Sequence, residues 1–345
     1  MRSAARVLTS TALDEPPSAR SRPARHIRAG LLVAVATALL LASAAAPLAA
    51  EDGLLFSFFR GNGEDGLYLA TSSDGLKWAA LHGDKPLLKP EVGESKLMRD
   101  PSLVRAPNGT FHMVWTTAWK GRTIGYASSK DLIHWSPQRA IEVFPEGTEV
   151  ANCWAPEIYY DAPSKDYLIA WASTIKGKFP ETVGKAREYN HRLYSIRTRD
   201  FQTFTETKLF YDPGFIVIDA AIFPAARAAT IPGQKRYAMV VKNETLTPPA
   251  KNLFLTFADS LNGPWTPPTE PISGKDWAEG PSPIKIGADW LIYFDKYTTH
   301  RYGAIRSRDG KAWTDITEQV EFPKGARHGT AFRAPRAIIE ALRAP

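Results

Sequence analysis

The sequence contains a single cysteine, Cys153, among its 345 residues. No disulfide can therefore form within the chain. Lone cysteines usually behave as small apolar side chains. We expect Cys153, which stands between Asn152 and Trp154 beside a predicted strand, to be a buried and chemically inert thiol.

A lysine- or arginine-rich run is also absent after residue 50. The formal net charge is +7, but the first 50 residues carry six arginines and only two acidic residues. The remainder has 37 basic and 34 acidic residues, a net charge of +3. A basic excess that lies mainly in one terminal segment does not indicate a nucleic-acid partner, and we expect none.

The N-terminal segment has the order of a secretory signal. An arginine-rich region is followed by an uncharged apolar run, Ala29 to Leu41, and by small residues at 42–46. This order predicts a signal peptide over residues 1–50, cleaved between about 44 and 50, and a secreted or periplasmic product without stable membrane insertion. The alternative is a retained anchor, which needs about 20 apolar residues and reaches them only if Ser43 and Pro47 are counted.

One short phrase recurs five times in residues 51–345, which we interpret as one domain. An Asp follows a strand-like run, and an aromatic residue comes four positions later, or six in one case. The five Asp residues are Asp74, Asp131, Asp200, Asp259 and Asp309. Such an Asp can cap a turn through the backbone, and the aromatic ring can pack between sheets. We interpret these Asp residues as structural.

A second repeat precedes the first and opens a short strand each time. Its members are Arg99-Asp100-Pro-Ser, Trp154-Ala-Pro-Glu157, Ile218-Asp219-Ala-Ala, Glu279-Gly-Pro-Ser and Arg327-His328-Gly-Thr. Opening motif, hairpin, third strand and Asp turn make a unit of about 50 to 60 residues, the size of a propeller blade. The sequence therefore predicts an all-β, five-bladed β-propeller of four-stranded antiparallel sheets, most simply a monomer. The strand after Arg327 would pair with the N-terminal strands and so close the ring.

The openings place titratable groups at the mouth of the central channel. Like charges that face a common channel cost free energy unless a site uses them. Glycoside hydrolysis needs an acid for the leaving oxygen and a second carboxylate; in inverting enzymes the second carboxylate activates water. A third carboxylate can raise the pKa of the acid. Asp100, Asp219 and Glu279 supply such a set, although the sequence alone does not assign their roles.

These motifs resemble glycoside hydrolase family 43 over about residues 54–335. The resemblance implies that Asp100 is the general base, Asp219 the pKa modulator and Glu279 the general acid. His328 resembles a channel histidine that faces an axial metal ion, often calcium; because calcium prefers oxygen ligands, a contact would run through water. No cofactor is required. Ala220 departs from the Pro that commonly follows the modulating Asp, which affects the local turn and not the chemistry.

The predicted function is an inverting hydrolase that removes arabinofuranosyl or xylosyl units from plant-type polysaccharides or oligosaccharides. The residues that we expect to contact the carbohydrate are Trp119, Trp154, Glu157, Arg301 and His328, with Tyr189 and Tyr297 as further aromatic candidates. The insertion 176–191 is too long for a simple turn and is expected to form a rim.

Three alternatives remain open. One is a propeller that binds carbohydrate without turnover, which retention of all three carboxylates disfavours. Another is a protein-interaction propeller, which would not need acids at the mouth. The third is a retaining hydrolase of the β-fructosidase type, whose Asn-Asp-Pro-Asn-Gly and Glu-Cys motifs this chain does not have.

Overall fold

The computed structural model describes residues 52–225 and 235–343, so the predicted signal segment, 1–50, lies outside the described residues. The described strands form five antiparallel sheets. The innermost strands of neighbouring sheets pack against each other in a closed ring. The fold is therefore the predicted five-bladed β-propeller. Within the described ranges, no helix has the length and apolar character needed to cross a membrane.

The closing blade holds both ends of the described chain. Its strands are β1 (Asp52–Phe58), β2 (Tyr68–Ser72), β3 (Ala79–Ala80) and, innermost, β19 (Ala331–Pro335). Strand β19 pairs antiparallel with β1, from Phe56 opposite Ala331 to Asp52 opposite Pro335. Helix α1 (Arg336–Arg343) follows and buries Ile339 and Leu342 in the core. The predicted closure is confirmed, and it removes the open edge of β1.

The other blades follow in chain order, each starting with its innermost strand. Blade 1 contains β4 (Arg99–Arg105), β5 (Phe111–Thr116), β6 (Thr123–Ser129) and β7 (Arg139–Glu142). Blade 2 contains β8 (Trp154–Asp161), β9 (Asp166–Ser173), β10 (Arg192–Thr198) and β11 (Lys208–Tyr211). Blade 3 contains β12 (Val217–Pro224), β13 (Tyr237–Asn243) and β14 (Leu253–Ala258). Blade 4 contains β15 (Glu279–Ile286), β16 (Asp289–Lys296), β17 (Arg301–Ser307) and β18 (Thr314–Asp315).

The outer edge of blade 3 is irregular because it is rich in proline. Backbone N–H groups of Thr266, Thr269 and Ile272 donate to carbonyl oxygens of β14. Prolines at 264, 267, 268 and 271 interrupt this segment, and a proline has no N–H to donate. The segment therefore occupies the fourth-strand position without forming a continuous ladder.

The repeated Asp turns cap the backbone as predicted in four of five cases. In each of the four, one carboxylate oxygen accepts hydrogen bonds from the N–H groups two and three residues later; the residues are Asp74, Asp131, Asp200 and Asp309. A Ser or Thr hydroxyl two residues earlier accepts another backbone N–H, as Ser72 does from Gly75. The fifth, Asp259, instead pairs with Lys235 at 2.6 Å.

The inner strands of blades 1 to 4 all begin with a β-bulge. The second residue of each opening motif has a left-handed φ: Asp100 (52°), Ala155 (46°), Asp219 (53°) and Gly280 (57°). The ladder register shifts at the same point in every blade. Bulges of this kind redirect side chains and are common beside active sites. Here the first position of each of these four motifs faces the mouth of the propeller, and so do Asp100 and Asp219 at the second position; the fourth-position residues Glu157, Ala221 and Ser282 face the channel.

Candidate active site

A cavity of about 540 Å³ opens at the mouth of the propeller, a size typical of small-molecule sites. We call it the mouth cavity. All five inner-strand openings contribute to its wall. The contributing residues are Arg99, Asp100, Trp154, Ile218, Asp219, Glu279, Arg327 and His328. The structure therefore gathers the three carboxylates that the sequence singled out, together with His328 and Trp154.

Asp100 is held at both carboxylate oxygens. Oδ2 accepts a hydrogen bond from Thr116 Oγ1 at 2.8 Å, and Thr116 Oγ1 in turn accepts one from the Ala155 N–H at 2.8 Å. Oδ1 lies 3.2 Å from Nδ1 of His328. Burial alone would raise the pKa of Asp100, but the charge and hydrogen bond of His328, together with Arg99 and Thr116, outweigh it and lower the pKa to about 2. The Asp100 carboxylate is thus ionised across the ordinary pH range.

His328 is the cationic partner in this pair. Burial disfavours the charged imidazole, but Asp100, Asp219 and Glu279 raise its pKa to about 9. Its ring packs on Gly280, where a Cβ atom would lie 2.3 Å from the imidazole. Gly280 also has a φ of 57°. Both the close approach and the backbone conformation therefore favour glycine at this position.

Asp219 lies almost fully buried beneath the cavity, 6% exposed. One oxygen, Oδ2, accepts a hydrogen bond from the Gly280 N–H at 3.0 Å. Burial raises the pKa of Asp219 to about 6; His328 and Lys242 oppose the increase, whereas Glu279 and Asp100 add to it. This carboxyl therefore binds a proton more readily than an ordinary Asp.

Glu279 is held between two cations. Arg327 donates to Oε1 at 3.0 Å, and Lys242 donates to Oε2 at 3.1 Å. Burial alone would raise the pKa of Glu279, but Lys242 and Arg327 hold it below its ordinary value. From the sequence, we expected a third carboxylate in the set to raise the pKa of the acid by repulsion. In this structure the two cations outweigh that repulsion.

Aromatic side chains form two walls of the mouth cavity. Blades 1 and 2 provide the first wall, in which the Trp119 and Trp154 ring centroids lie 5.5 Å apart and those of Trp154 and Tyr189 lie 4.6 Å apart. Blade 4 provides the second wall, Trp277 and Tyr297, with centroids 6.1 Å apart. All five residues line the cavity. The sequence analysis did not name Trp277.

The predicted rim is the loop between β9 and β10. Ala186, Arg187 and Tyr189 of this loop line the mouth cavity. The fully buried Arg192 anchors the loop, because its guanidinium lies 2.5 Å from Asp212 and 3.4 Å from Glu181. The insertion 176–191 therefore extends the wall of the cavity, as expected.

Glu157 and Arg301 lie apart from the mouth cavity. Glu157 occupies the fourth position of its motif, two residues beyond the position of Asp100, so it faces a separate channel cavity of about 130 Å³. There Ser102 donates to its carboxylate at 2.7 Å, and burial raises the pKa of Glu157 to about 7. Arg301 is exposed on β17 and pairs with Glu318 at 3.1 Å. Two expectations from the sequence are therefore corrected. Glu157 does not hold the position equivalent to Asp100, and Arg301 does not line the mouth cavity.

The donors around His328 do not fit a calcium site. Calcium prefers oxygen ligands, whereas the imidazole offers nitrogen, and the nearest carboxylate, Asp100, is paired with it. Within residues 52–225 and 235–343, no group of three or more His, Cys, Asp or Glu side chains is placed to hold a metal ion. The axial ion, with its water-mediated contact to His328, stays a prediction of the resemblance.

Sequence reasoning missed three charged residues around Glu279: Lys242 and Arg327 contact its carboxylate, and Asp295 contacts Arg327. Lys242 and Asp295 directly follow apolar runs near the ends of β13 and β16, and both are about 1% exposed. A charge directly after an apolar run was the available signal, because such residues are rarely buried without a partner. Arg327 stands next to His328 in the motif and pairs with Asp295 at 2.5 Å. Cys153, as expected, is buried, and burial raises the pKa of its thiol to about 12.

A family model described as "Probable glycosyl hydrolase domain", of the type related to glycoside hydrolase family 43, matches residues 50–337. The chain belongs to this family of glycoside hydrolases. The match spans the whole propeller and confirms the resemblance seen in the opening motifs. None of the curated protein sequences that were compared with the chain matches it significantly.

Several solved structures are similar to this chain at low identity. An α-L-arabinofuranosidase from Lactobacillus brevis is 18% identical, with a TM-score of 0.48 over 64% of this chain and 72% of the other. An exo-β-1,3-galactanase from Phanerochaete chrysosporium is 12% identical, with a TM-score of 0.46 over 63% of this chain and 49% of the other. A family 43 protein from Bacillus licheniformis is 18% identical, with a TM-score of 0.44 over 64% of this chain and 41% of the other. Similarity at this level carries no information about the sugar that this chain accepts.

Proposed function

We propose that this family 43-type hydrolase removes arabinofuranosyl or xylosyl units from plant-type polysaccharides or oligosaccharides with inversion at the anomeric carbon. One observation carries the proposal: Asp100, Asp219 and Glu279 open three different inner strands and all line one cavity. Two aromatic walls border the same cavity and suit the apolar faces of a sugar ring. The sugar itself follows from the sequence resemblance and needs the test below.

In the proposed mechanism, Asp100 removes a proton from a water molecule in the mouth cavity. A carboxylate with a pKa of about 2 is ionised at the pH of reaction, and Thr116 and His328 fix its orientation. The water oxygen then bonds to the anomeric carbon from one face as the bond to the leaving oxygen breaks on the other. Glu279 gives its proton to that leaving oxygen, and the released sugar has the inverted configuration.

Asp219 is the proposed modulator, and its proton affinity suggests a second assignment. Because its pKa is raised to about 6, Asp219 carries a proton at mildly acidic pH more readily than Glu279. If Asp219 rather than Glu279 protonates the leaving group, Asp219→Asn should lose activity most strongly on glycosides with poor leaving groups. In our assignment Glu279→Gln shows that dependence, with a loss of about 10²–10⁴-fold on a natural glycoside and a smaller loss on a nitrophenyl glycoside.

The activity test uses the folded domain with nitrophenyl α-L-arabinofuranoside, β-xyloside and β-galactoside. The proposal expects turnover of the arabinofuranoside or the xyloside, and its loss in Asp100→Asn. Turnover of the galactoside alone would keep the enzyme class but overturn the proposed sugar. Binding of sugars without release of nitrophenol from any substrate would instead favour a non-catalytic carbohydrate-binding propeller.

A further inference from the structure

Lys242 is a buried cation at the end of an apolar run. It lies on β13 after Val240 and Val241, and only 1% of its surface is exposed. A lysine is rarely buried to this extent unless it is paired. Its Nζ atom lies 3.1 Å from Oε2 of Glu279 and 2.7 Å from Oε2 of Glu244. These contacts account for the burial and join Lys242 directly to the proposed acid.

The two contacts belong to a continuous chain of alternating charges along the wall of the mouth cavity. In spatial order its members are Asp295, Arg327, Glu279, Lys242, Glu244 and Lys251. The chain has three acidic and three basic members, so it carries no net charge. Glu279 is an inner member, and each of its oxygens faces a different cation. Its carboxylate therefore has a fixed orientation and a stabilised negative charge.

A general acid must carry a proton when the substrate is bound. Any proton on Glu279 has to compete with Lys242 at Oε2 and with Arg327 at Oε1. Arg327 also contacts Asp295, whereas Lys242 is shared with Glu244. We propose, resting on the function proposed above, that Lys242 is a positioning residue that orients Glu279 for proton transfer and confines its protonated form to acidic pH.

Other charged and titratable groups also face Glu279, from every neighbouring strand. They are Asp219 on β12, Glu244 after β13, Lys251 before β14, Asp295 on β16, Tyr297 after β16, Tyr302 on β17, and Arg327 and His328 before β19. Asp219 and Asp295 favour the protonated acid by repulsion, and the cations oppose it. Lys242 itself contacts Glu279 from the second strand of blade 3.

The test compares kcat/KM against pH for the parent, Lys242→Met and Lys242→Arg on a nitrophenyl glycoside and on a natural oligosaccharide. Met has a similar length and no charge. Its variant should move the basic limb of the profile upward by about one pH unit or more, while kcat at the optimum falls because Glu279 loses an anchor. Arg keeps the charge and should restore the position of the limb. An unmoved limb in a folded Lys242→Met protein overturns the proposal, because a merely structural residue would change stability and rate without moving the limb.

A second variant should move the basic limb in the opposite direction, and its result does not depend on whether Lys242→Met folds. Glu244→Gln removes an anion that shares Lys242 with Glu279. The charge of Lys242 then acts on Glu279 alone, so the basic limb should move to lower pH; an upward shift would contradict the proposal. A third variant, Glu279→Gln, tests the assignment of Glu279 as the acid separately from the role of Lys242. Its residual activity on the nitrophenyl glycoside should have no basic limb. If the limb persists there, the assignment of the acid is wrong, and the role of Lys242 falls with it.

Discussion

Nδ1 of His328 lies 3.2 Å from Oδ1 of Asp100. Asp100 is the second residue of β4, the first inner strand after the N-terminal strands, and His328 lies three residues before β19, which closes the ring. The C-terminal segment that closes the ring therefore also supplies the charge partner of the proposed base.

His328→Gln should weaken activity most at low pH. The cation lowers the pKa of Asp100 to about 2, so its removal raises that pKa and leaves less of the base ionised in acid. The acidic limb of kcat/KM should move up by about one unit, a relative loss on the order of tenfold at the lowest pH values. His112→Gln, on β5 and hydrogen-bonded to Tyr126, is the control and should not move the limb. An unchanged acidic limb in His328→Gln would mean that this ion pair does not tune Asp100.

Glu157→Gln should change the pH dependence of stability and leave turnover near the parent rate. Burial raises the pKa of Glu157 from 4.5 to about 7, so between these values the folded protein holds a proton that the unfolded chain releases. The contribution of Glu157 to stability is therefore lost as the pH rises through this window. Urea unfolding at pH 4.5, 6 and 8 should show a smaller loss of stability in the variant than in the parent. If the free energy of unfolding fell equally with pH in variant and parent, the raised pKa of Glu157 would be contradicted. A large fall in kcat would indicate that Glu157 contacts the substrate.

Trp119→Ala should raise KM without changing the melting temperature. The indole is 47% exposed at the cavity, so little core packing is lost. Loss of an aromatic contact worth about 0.5–1.5 kcal/mol predicts a KM roughly 2 to 12 times higher. Leu209→Ala, on the outer strand β11 and 49% exposed, is the matched control and should change neither quantity. A parent-like KM in Trp119→Ala would remove this ring from the sugar-binding wall.

Removal of residues 326–345 should unfold or aggregate the protein. The deletion takes away β19 and leaves the inner edge of β1 unpaired, which is a template for association. The control deletion, 336–345, removes helix α1 but keeps β19, so it should stay soluble with a lower melting temperature. Light scattering and a thermal melt measure both outcomes. Unchanged melting of the longer deletion would be incompatible with the closure.

Much of the architecture could be predicted because short sequence repeats specify it locally. The Asp turns and opening motifs recur once per blade, and four of the five Asp turns act through hydrogen bonds to their own backbone, as at Asp131. The irregular turn at Asp259 has two extra residues, and the prolines that follow it interrupt the outer ladder. Those departures were visible in the sequence, but their structural outcome depends on which N–H groups remain to pair.

The site was harder to predict where it depends on register and on distant pairing. Glu157 appeared equivalent to Asp100, yet Ala155 holds the position of Asp100, and Glu157 lies two residues further along the strand, in the channel. The pairing of Lys242 with Glu279 joins residues 37 positions apart on two different blades. No local pattern encodes such a contact, because it exists only once neighbouring blades are packed. The sequence could therefore supply the carboxylates and His328, but not Lys242 and Arg327, the cations that set the charge state of Glu279.

The central claim is inverting hydrolysis with water activated by Asp100. Proton NMR during early turnover of a nitrophenyl glycoside, before mutarotation, identifies the anomer that is released first. The account predicts the configuration opposite to that of the substrate, and no release above the uncatalysed rate with Asp100→Asn. A first product with the configuration of the substrate, or an Asp100→Asn variant that turns over at the parent rate, would contradict it.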